Sequence, residues 1–328
     1  MSIERISYLF LALTFFGCGS GGSKTEEQVA DPRPDIVVLN NFNVLLVPDL
    51  SNRIDPNIHP KPVHDTILLN SFVDNIKQFL AIGARKMNQK DIFTIDFMNR
   101  TVLSAGIVSA KDMQINFDAF ENKPRDRSDY IRSNLANDQA KLKKEIGKLY
   151  KYSLGNYSGT DIWTYFNQTI HQSLVNRPKK VEKISDETTA NIVMKNVAVI
   201  FTDGYIENAN HTSGYSLRYS VIKEARDEYN KVGGDIEQFI SKNPKYQIKR
   251  TTKSLKGLSV MVVEFADRSR NAQGVAMEHP NDYQIMRAIW KKWLLDSGAD
   301  ACEVYESVKQ PREFIDNFMK FTEAISRR

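Results

Sequence analysis

Two acids in this chain sit where an apolar run gives way to a loop. Asp49 and Ser51 follow Phe42-Asn-Val-Leu-Leu-Val47, and Asp203 follows Val197-Ala-Val-Ile-Phe201 within Phe201-Thr-Asp-Gly204. A second hydroxyl, Thr160 of Ser158-Gly-Thr-Asp161, precedes a helical stripe. In open α/β sheets the loops at the carboxyl ends of the strands form the ligand crevice, so polar residues placed just after an apolar run are where chemistry collects. Acids at strand ends with a nearby cation, Arg53, suit metal-assisted hydrolysis of a phosphate or other anion, Asp49 and Asp203 ligating and Arg53 clamping the substrate. No Gly-rich phosphate cradle accompanies them. Nucleophilic catalysis needs a Ser or Cys beside a His and an orienting acid. The His residues, at 59, 64, 171, 211 and 279, lie mostly in polar or loop surroundings with no Gly-x-Ser-x-Gly signature. A blander alternative has Asp49 and Asp203 capping loops or helix starts.

The elements that must position these residues can be read from periodicity. Phe42 to Val47 is a continuous apolar run too short for a helix, hence a buried strand. From Asp65 to Arg85, the residues Leu69, Phe72, Val73, Ile76 and Leu80 share one helical face. Asp91 to Met98 alternates as a strand, and Val102 to Phe117 reads as a further strand with a loop. A charged segment, residues 121–157, reads as an insert carrying a surface helix from about Ser128 to Tyr152, with Tyr150, Tyr152 and Tyr157 crowding the approach to Thr160. Asp161 suits a helix cap, ahead of a stripe of Trp163, Phe166, Ile170 and Leu174. Residues 179–196 read as a polar connector and 207–216 as a loop over the strand ends. Leu217 to Ile240 is helical with a break at Gly233-Gly234. Leu258 to Phe265 and Cys302 to Tyr305 read as strands, Asp282 to Ser297 and the stripe Phe314, Phe318, Phe321 as helices. Strands alternating with helices predict an α/β fold, a doubly wound, mostly parallel sheet covered on both faces, in one domain from residue 40 to 328.

The 328 residues are 41% hydrophobic and 26% charged, ordinary for a globular protein. The formal charge of +5 is spread through the chain, with no basic block interleaved with aromatics, which argues against a nucleic-acid partner. Met1 to Arg5 is a short polar start and Ile6 to Phe16 an apolar run of signal-peptide length, too short to span a bilayer. Gly17-Cys18 after it resembles a bacterial lipobox, in which the signal, residues 1–17, is removed and Cys18 is acylated; the alternative is a secretory signal with an incidental Cys. Gly19-Ser-Gly-Gly-Ser23 and the polar, Pro-containing stretch to residue 39 read as a flexible tether. The acidic pair Glu26-Glu27 is similar to surface-export signals of lipoproteins in the Bacteroidetes group. These features place the protein at the bacterial cell envelope, lipid-anchored to the outer membrane. Cys302 then has no partner within the mature chain and reads as a small buried apolar residue. His59 and His64, in a loop with three prolines, read as loop residues rather than metal ligands.

Taken together, Asp-x-Ser after the first strand, Gly-Thr-Asp before a mid-chain helix and Phe-Thr-Asp-Gly after the next central strand resemble the von Willebrand factor A domain. The resemblance spans roughly residues 40–326. It implies a divalent cation at the strand ends, in a metal-ion-dependent adhesion site, with Asp49, Ser51, Thr160 and Asp203 as ligands. Mg²⁺ or Mn²⁺ with these oxygen donors leaves a position for a partner's carboxylate. The implied function is an envelope-anchored binding or adhesion module that holds a protein partner or other extended ligand. Arg53 departs from the pattern, standing where the family has a last hydroxyl. Either the remaining ligands hold the ion, or the Arg53 guanidinium pairs with Asp49 or Asp203 and takes over the ion's role, leaving a metal-free site. A third reading is a scaffold with an inert site, whose partner surface lies on the segment 121–157.

Overall fold

The computed structural model describes residues 35–85, 89–98, 101–120, 123–157, 161–178, 180–183, 188–207, 216–271 and 273–327. Two long strands form its spine. β1 (Asp35–Pro48) and β5 (Thr188–Phe201) lie parallel and pair along their full 14 residues. β2 (Ile92–Ile95) pairs parallel to β1, and β3 (Gln114–Asn116) closes that edge antiparallel. On the other side β6 (Leu258–Phe265) and β7 (Ala301–Glu306) continue the parallel sheet. The order is therefore β3-β2-β1-β5-β6-β7, with β4 (Lys180–Lys183) paired antiparallel to the first residues of β5. The chain leaves β1 toward one edge and β5 toward the other. That divergence makes the gap between the ends of β1 and β5 the topological switch point, where open α/β sheets bind ligands.

Alternation along the central strands sends side chains to two cores, one on each face. Val44, Leu46, Val197, Val199, Phe201, Met261 and Val263 meet α1 (Asp65–Asp74), α2 (Ile76–Phe79), α5 (Leu135–Gly155) and α10 (Pro311–Ser326). Between these in the chain lie α3 (Thr101–Ser104) and α4 (Pro124–Ser133). Leu45, Val47, Ala198, Ile200, Val260 and Val262 point the other way. They meet α6 (Ile162–Thr164), which runs on into a wider π turn, α7 (Tyr219–Val232), α8 (Ile236–Lys242) and α9 (Asp282–Asp296). The molecule is thus α/β, a seven-stranded, mostly parallel sheet with helices on both faces, as the alternating pattern predicts. Trp290, Trp293 and Phe265 pack edge to face in the second core. Cys302 is buried there, and burial pushes its thiol up to about 12, so it behaves as a small apolar residue.

Several boundaries differ from the pattern reading. The expected tether to residue 39 ends sooner, because Asp35 to Leu39 already pair with Thr188 to Ile192. The expected polar connector at 179–196 is largely strand. Its β-branched residues Thr188, Thr189, Ile192 and Val193 outweigh its polarity once β1 offers a ladder. Residues 102–117 hold helical turns and only a three-residue edge strand. The helix expected over 65–85 breaks at Asn75, whose side chain donates to the Ser71 carbonyl oxygen at 2.8 Å. In the segment read as an insert, α5 is a structural layer of the sheet: Leu135, Leu142, Ile146, Leu149 and Tyr150 are buried in the first core. Residues 1–34, with Cys18, lie outside the described residues, and among the described ones no helix is long and apolar enough to cross a membrane.

Candidate functional site

Asp49 is the first residue after β1. Its backbone N–H still donates to the Phe201 carbonyl oxygen of β5 at 2.9 Å, so the ladder carries the acid to the rim of the sheet. Its Oδ1 accepts from the Ser51 N–H at 3.0 Å and its Oδ2 from the Thr202 hydroxyl at 3.2 Å. The first bond is an Asx turn, which bends the chain off the strand and places Ser51 at the start of a 3-10 turn, Asn52–Ile54. Ser51's hydroxyl makes no capping bond there.

Asp203 lies two residues past the end of β5, on the same rim of the sheet. Its Oδ1 accepts from the Tyr205 N–H at 3.2 Å, and its Oδ2 accepts from Arg268 Nη2 at 3.0 Å. The glycine after it is required by two constraints at once. Gly204 has φ +88°, and a Cβ there would lie 2.9 Å from the Phe265 ring. Its carbonyl oxygen accepts from the Trp290 indole at 2.9 Å, which ties the turn to α9. Burial pushes the Asp203 carboxyl above its ordinary value; the neighbouring Asp49 adds to that, and Arg53 and Arg268 oppose it.

Arg268 enters three residues beyond β6 and was not singled out by the sequence. Its guanidinium lies 3.8 Å from the Tyr205 ring centroid, and its Nη1 donates to Glu207 at 2.8 Å while Nη2 holds Asp203. The Tyr205 hydroxyl in turn donates to Asp282, the first residue of α9, to which Arg226 of α7 also donates. Asp282's N–H closes the circuit by donating to the Ser269 hydroxyl at 3.2 Å, next to Arg268.

Arg53 does not pair as expected. Its Nη1 donates to Asp65 Oδ2 at 2.6 Å and to the Asp49 carbonyl oxygen at 3.0 Å, and its Nη2 reaches Asp65 Oδ1 at 3.3 Å. The cation chooses Asp65 because the first turn of α1 holds that carboxylate beneath the loop. Lys61 Nζ donates to Asp65 Oδ1 at 2.7 Å and the Tyr150 hydroxyl to Oδ2 at 3.3 Å. Burial alone would raise the Asp65 carboxyl, but the charges of Arg53 and Lys61 and their hydrogen bonds outweigh it and hold it well below the carboxylate range. Beside this cluster Glu264, 1% exposed, has the one positive φ of a non-glycine among the described residues, 73°. Its Oε2 has no hydrogen-bond partner there, and burial, then the charge of Asp65, push its carboxyl up to about 7. A buried acid with a left-handed backbone and one unpartnered oxygen stores strain at this strand end.

These residues line two adjoining crevices. One, about 270 Å³, is bordered by Asp49, Ser51, Arg53, Asp203, Glu207 and Arg268. The other, about 410 Å³, is bordered by Lys61, Pro62, Ala266 and Ser307, and both share Arg53, His59, Asp203 and Arg268. The structure thus brings Asp49, Ser51, Arg53 and Asp203 together, whereas Thr160 lies outside the described residues. Asp161 caps α6, accepting from the Thr164 N–H at 2.9 Å, as expected. His64 caps α1 through Nδ1. Tyr157 is drawn to Asp55, to which its hydroxyl donates at 2.7 Å. Both Asp49 oxygens and both Asp203 oxygens accept protein hydrogen bonds, and Arg268 sets positive charge against the outer oxygen of Asp203. No group of three or more His, Cys, Asp or Glu suited to hold a metal occurs among the described residues.

No protein-family model matches the chain, and no curated protein matches it either. Sequence signals for the missed residues existed in part. Glu264 is a lone acid inside the apolar run Leu258 to Phe265, and Arg268 follows a central strand just as Asp49 and Asp203 do. Gly204→Ala combines a left-handed backbone with overlap on Phe265, so it should destabilise the fold by about 1–3 kcal/mol, measured by urea denaturation. A variant as stable as the natural chain contradicts this account of the Thr-Asp-Gly turn.

Proposed function

We propose that the protein is an envelope-anchored binding module, held at a bacterial membrane by an acylated Cys18, whose strand-end crevice grips a protein partner or other extended ligand. The observation that carries this reading is the placement of the crevice. β1 begins at Asp35 and delivers Asp49 at its far end, so its 14 residues separate the membrane-side chain from the crevice by roughly 45 Å. A tether ahead of β1 would join the domain at the end of that strand opposite the crevice, leaving the crevice open to a partner. The acids at the switch point and the polar rim of Ser51, Asn52, Glu207 and Arg268 suit recognition of charged groups at a surface. The reading agrees with the resemblance to the von Willebrand factor A domain in where the ligand is held, and it stands with or without a divalent ion.

Two measurements test it. The full chain should partition with membranes and Cys18→Ser should release it; a natural chain recovered free of membranes contradicts the anchor. Vesicles carrying the full chain should retain a surface-protein partner, and Asp203→Ala, with its fold checked by circular dichroism, should weaken that retention by at least about tenfold. Undiminished retention contradicts the assignment of the crevice. Turnover of a generic phosphoester, abolished in Asp49→Ala, would establish metal-assisted hydrolysis instead.

A further inference from the structure

We infer that Arg268 is a resident cation of the strand-end crevice, paired with Asp203 where a divalent ion would otherwise bind, and that it closes the site to such ions. The inference deepens the reading above and rests on it for its functional meaning.

Three observations converge. Nη2 of Arg268 is 3.0 Å from Asp203 Oδ2, the acid oxygen left over after the Tyr205 N–H has taken Oδ1. A divalent ion bound through that oxygen would displace the guanidinium, and an ion beside a guanidinium meets like charge. The guanidinium is also held from its other sides. It lies on the Tyr205 ring at 3.8 Å and donates to Glu207 at 2.8 Å. The ring is itself fixed, because the Tyr205 hydroxyl donates to Asp282, which Arg226 secures from behind. Finally, Arg268 borders both crevices together with Asp203, so the pair stands between the two volumes. Arg53 also acts on Asp203 by charge, but its hydrogen bonds go to Asp65 and the Asp49 carbonyl oxygen, so Arg268 is the cation in contact with the Asp203 carboxylate among the described residues.

The consequence is a particular kind of ligand contact. Arg268 keeps about a third of its side-chain surface exposed, while Glu207 is half exposed. An exposed carboxylate is the weaker of its two anchors. Glu207 then occupies the position that an incoming carboxylate would take, with Asp203 remaining on the inner Nη. Partner capture of this form needs no metal and is insensitive to chelator.

The test uses Mn²⁺ alone as probe, titrated calorimetrically into the full chain, so its outcome does not depend on any partner. A failure here is therefore distinct from a failure of partner capture. The natural protein should show no saturable uptake at millimolar Mn²⁺. Arg268→Gln should gain uptake at least about tenfold tighter, the double variant Arg268→Gln with Asp203→Asn should lose it, and Arg268→Lys, which keeps the charge, should stay silent. Arg268 is partly exposed, and thermal melting checks that each variant remains folded. Saturable Mn²⁺ binding by the natural chain equal to that of Arg268→Gln overturns the inference, as does an Arg268→Gln protein that folds and gains nothing.

Discussion

The ion pair between Arg53 and Asp65 fixes the geometry on which the crevice depends. Both side chains are almost wholly buried, 2% and 1% exposed, and the contact is two-pronged. Taking two charges out of water is expensive, so such a pair depends on further hydrogen bonds to its donors and acceptors. Here Lys61 and Tyr150 complete Asp65 and the Asp49 carbonyl oxygen takes a share of Arg53, while the buried Arg53 Nε has no hydrogen-bond partner among the described residues. The bond to the Asp49 carbonyl oxygen joins the pair to the site. A guanidinium that reaches from the loop to the first turn of α1, while holding the backbone of Asp49, determines where the loop leaves β1. It also directs the hydrogen bonds of Arg53 away from the carboxylates of Asp49 and Asp203.

Once that cation is accounted for, the strand ends form a layered charge pattern. β1 and β5 contribute Asp49 and Asp203, and the loop after β6 contributes Arg268 above them, with Glu207 at the rim. Beneath lie Arg53, Lys61, Asp65 and the strained Glu264. Each acid has a cation within the network, which limits the like-charge repulsion that would otherwise arise between Asp49 and Asp203. Support from behind comes through Tyr205, Asp282 and Arg226, so the elements that flank β5 and β6 all bear on one residue, Arg268. The fold thereby makes the crevice rigid on its inner wall and leaves its polar rim open.

Much of this was legible in the sequence, and the exceptions have physical causes. The central strands β1, β5 and β6 and the helices with strong stripes, such as α9 with Met286, Ile289, Trp290 and Trp293, follow from periodicity because burial dictates their residue types. Asp49, Ser51 and Asp203 were found because strand-end position is a property of order along the chain. The polar half of β5 was missed because Thr188 to Asn196 is stabilised by pairing with β1 and β4, which no local pattern shows. The break at Asn75 was missed because its apolar neighbours keep helical spacing across it. Arg53 stands out in the sequence as the odd residue of the motif, but its ion-pair partner is Asp65, and it meets Asp49 through the backbone carbonyl. Its distance from Asp65 in space is set by the turn Asn52–Ile54 and the cap at His64, neither of which is visible as spacing. Arg268 and Glu207 come together across 61 residues, a contact that only the tertiary fold creates.

The most direct measurement of this account is a double-mutant cycle on Arg53 and Asp65, with Arg53→Met, Asp65→Asn and the pair, each unfolded in urea. Removing either partner alone should cost about 3–5 kcal/mol by leaving the other charge buried and unmatched. The double variant should cost less than the sum of the two, by a coupling of roughly 1–3 kcal/mol. Additive losses, with coupling no larger than about 0.5 kcal/mol, would contradict the central place given to this pair and with it the reason that the hydrogen bonds of Arg53 go to Asp65.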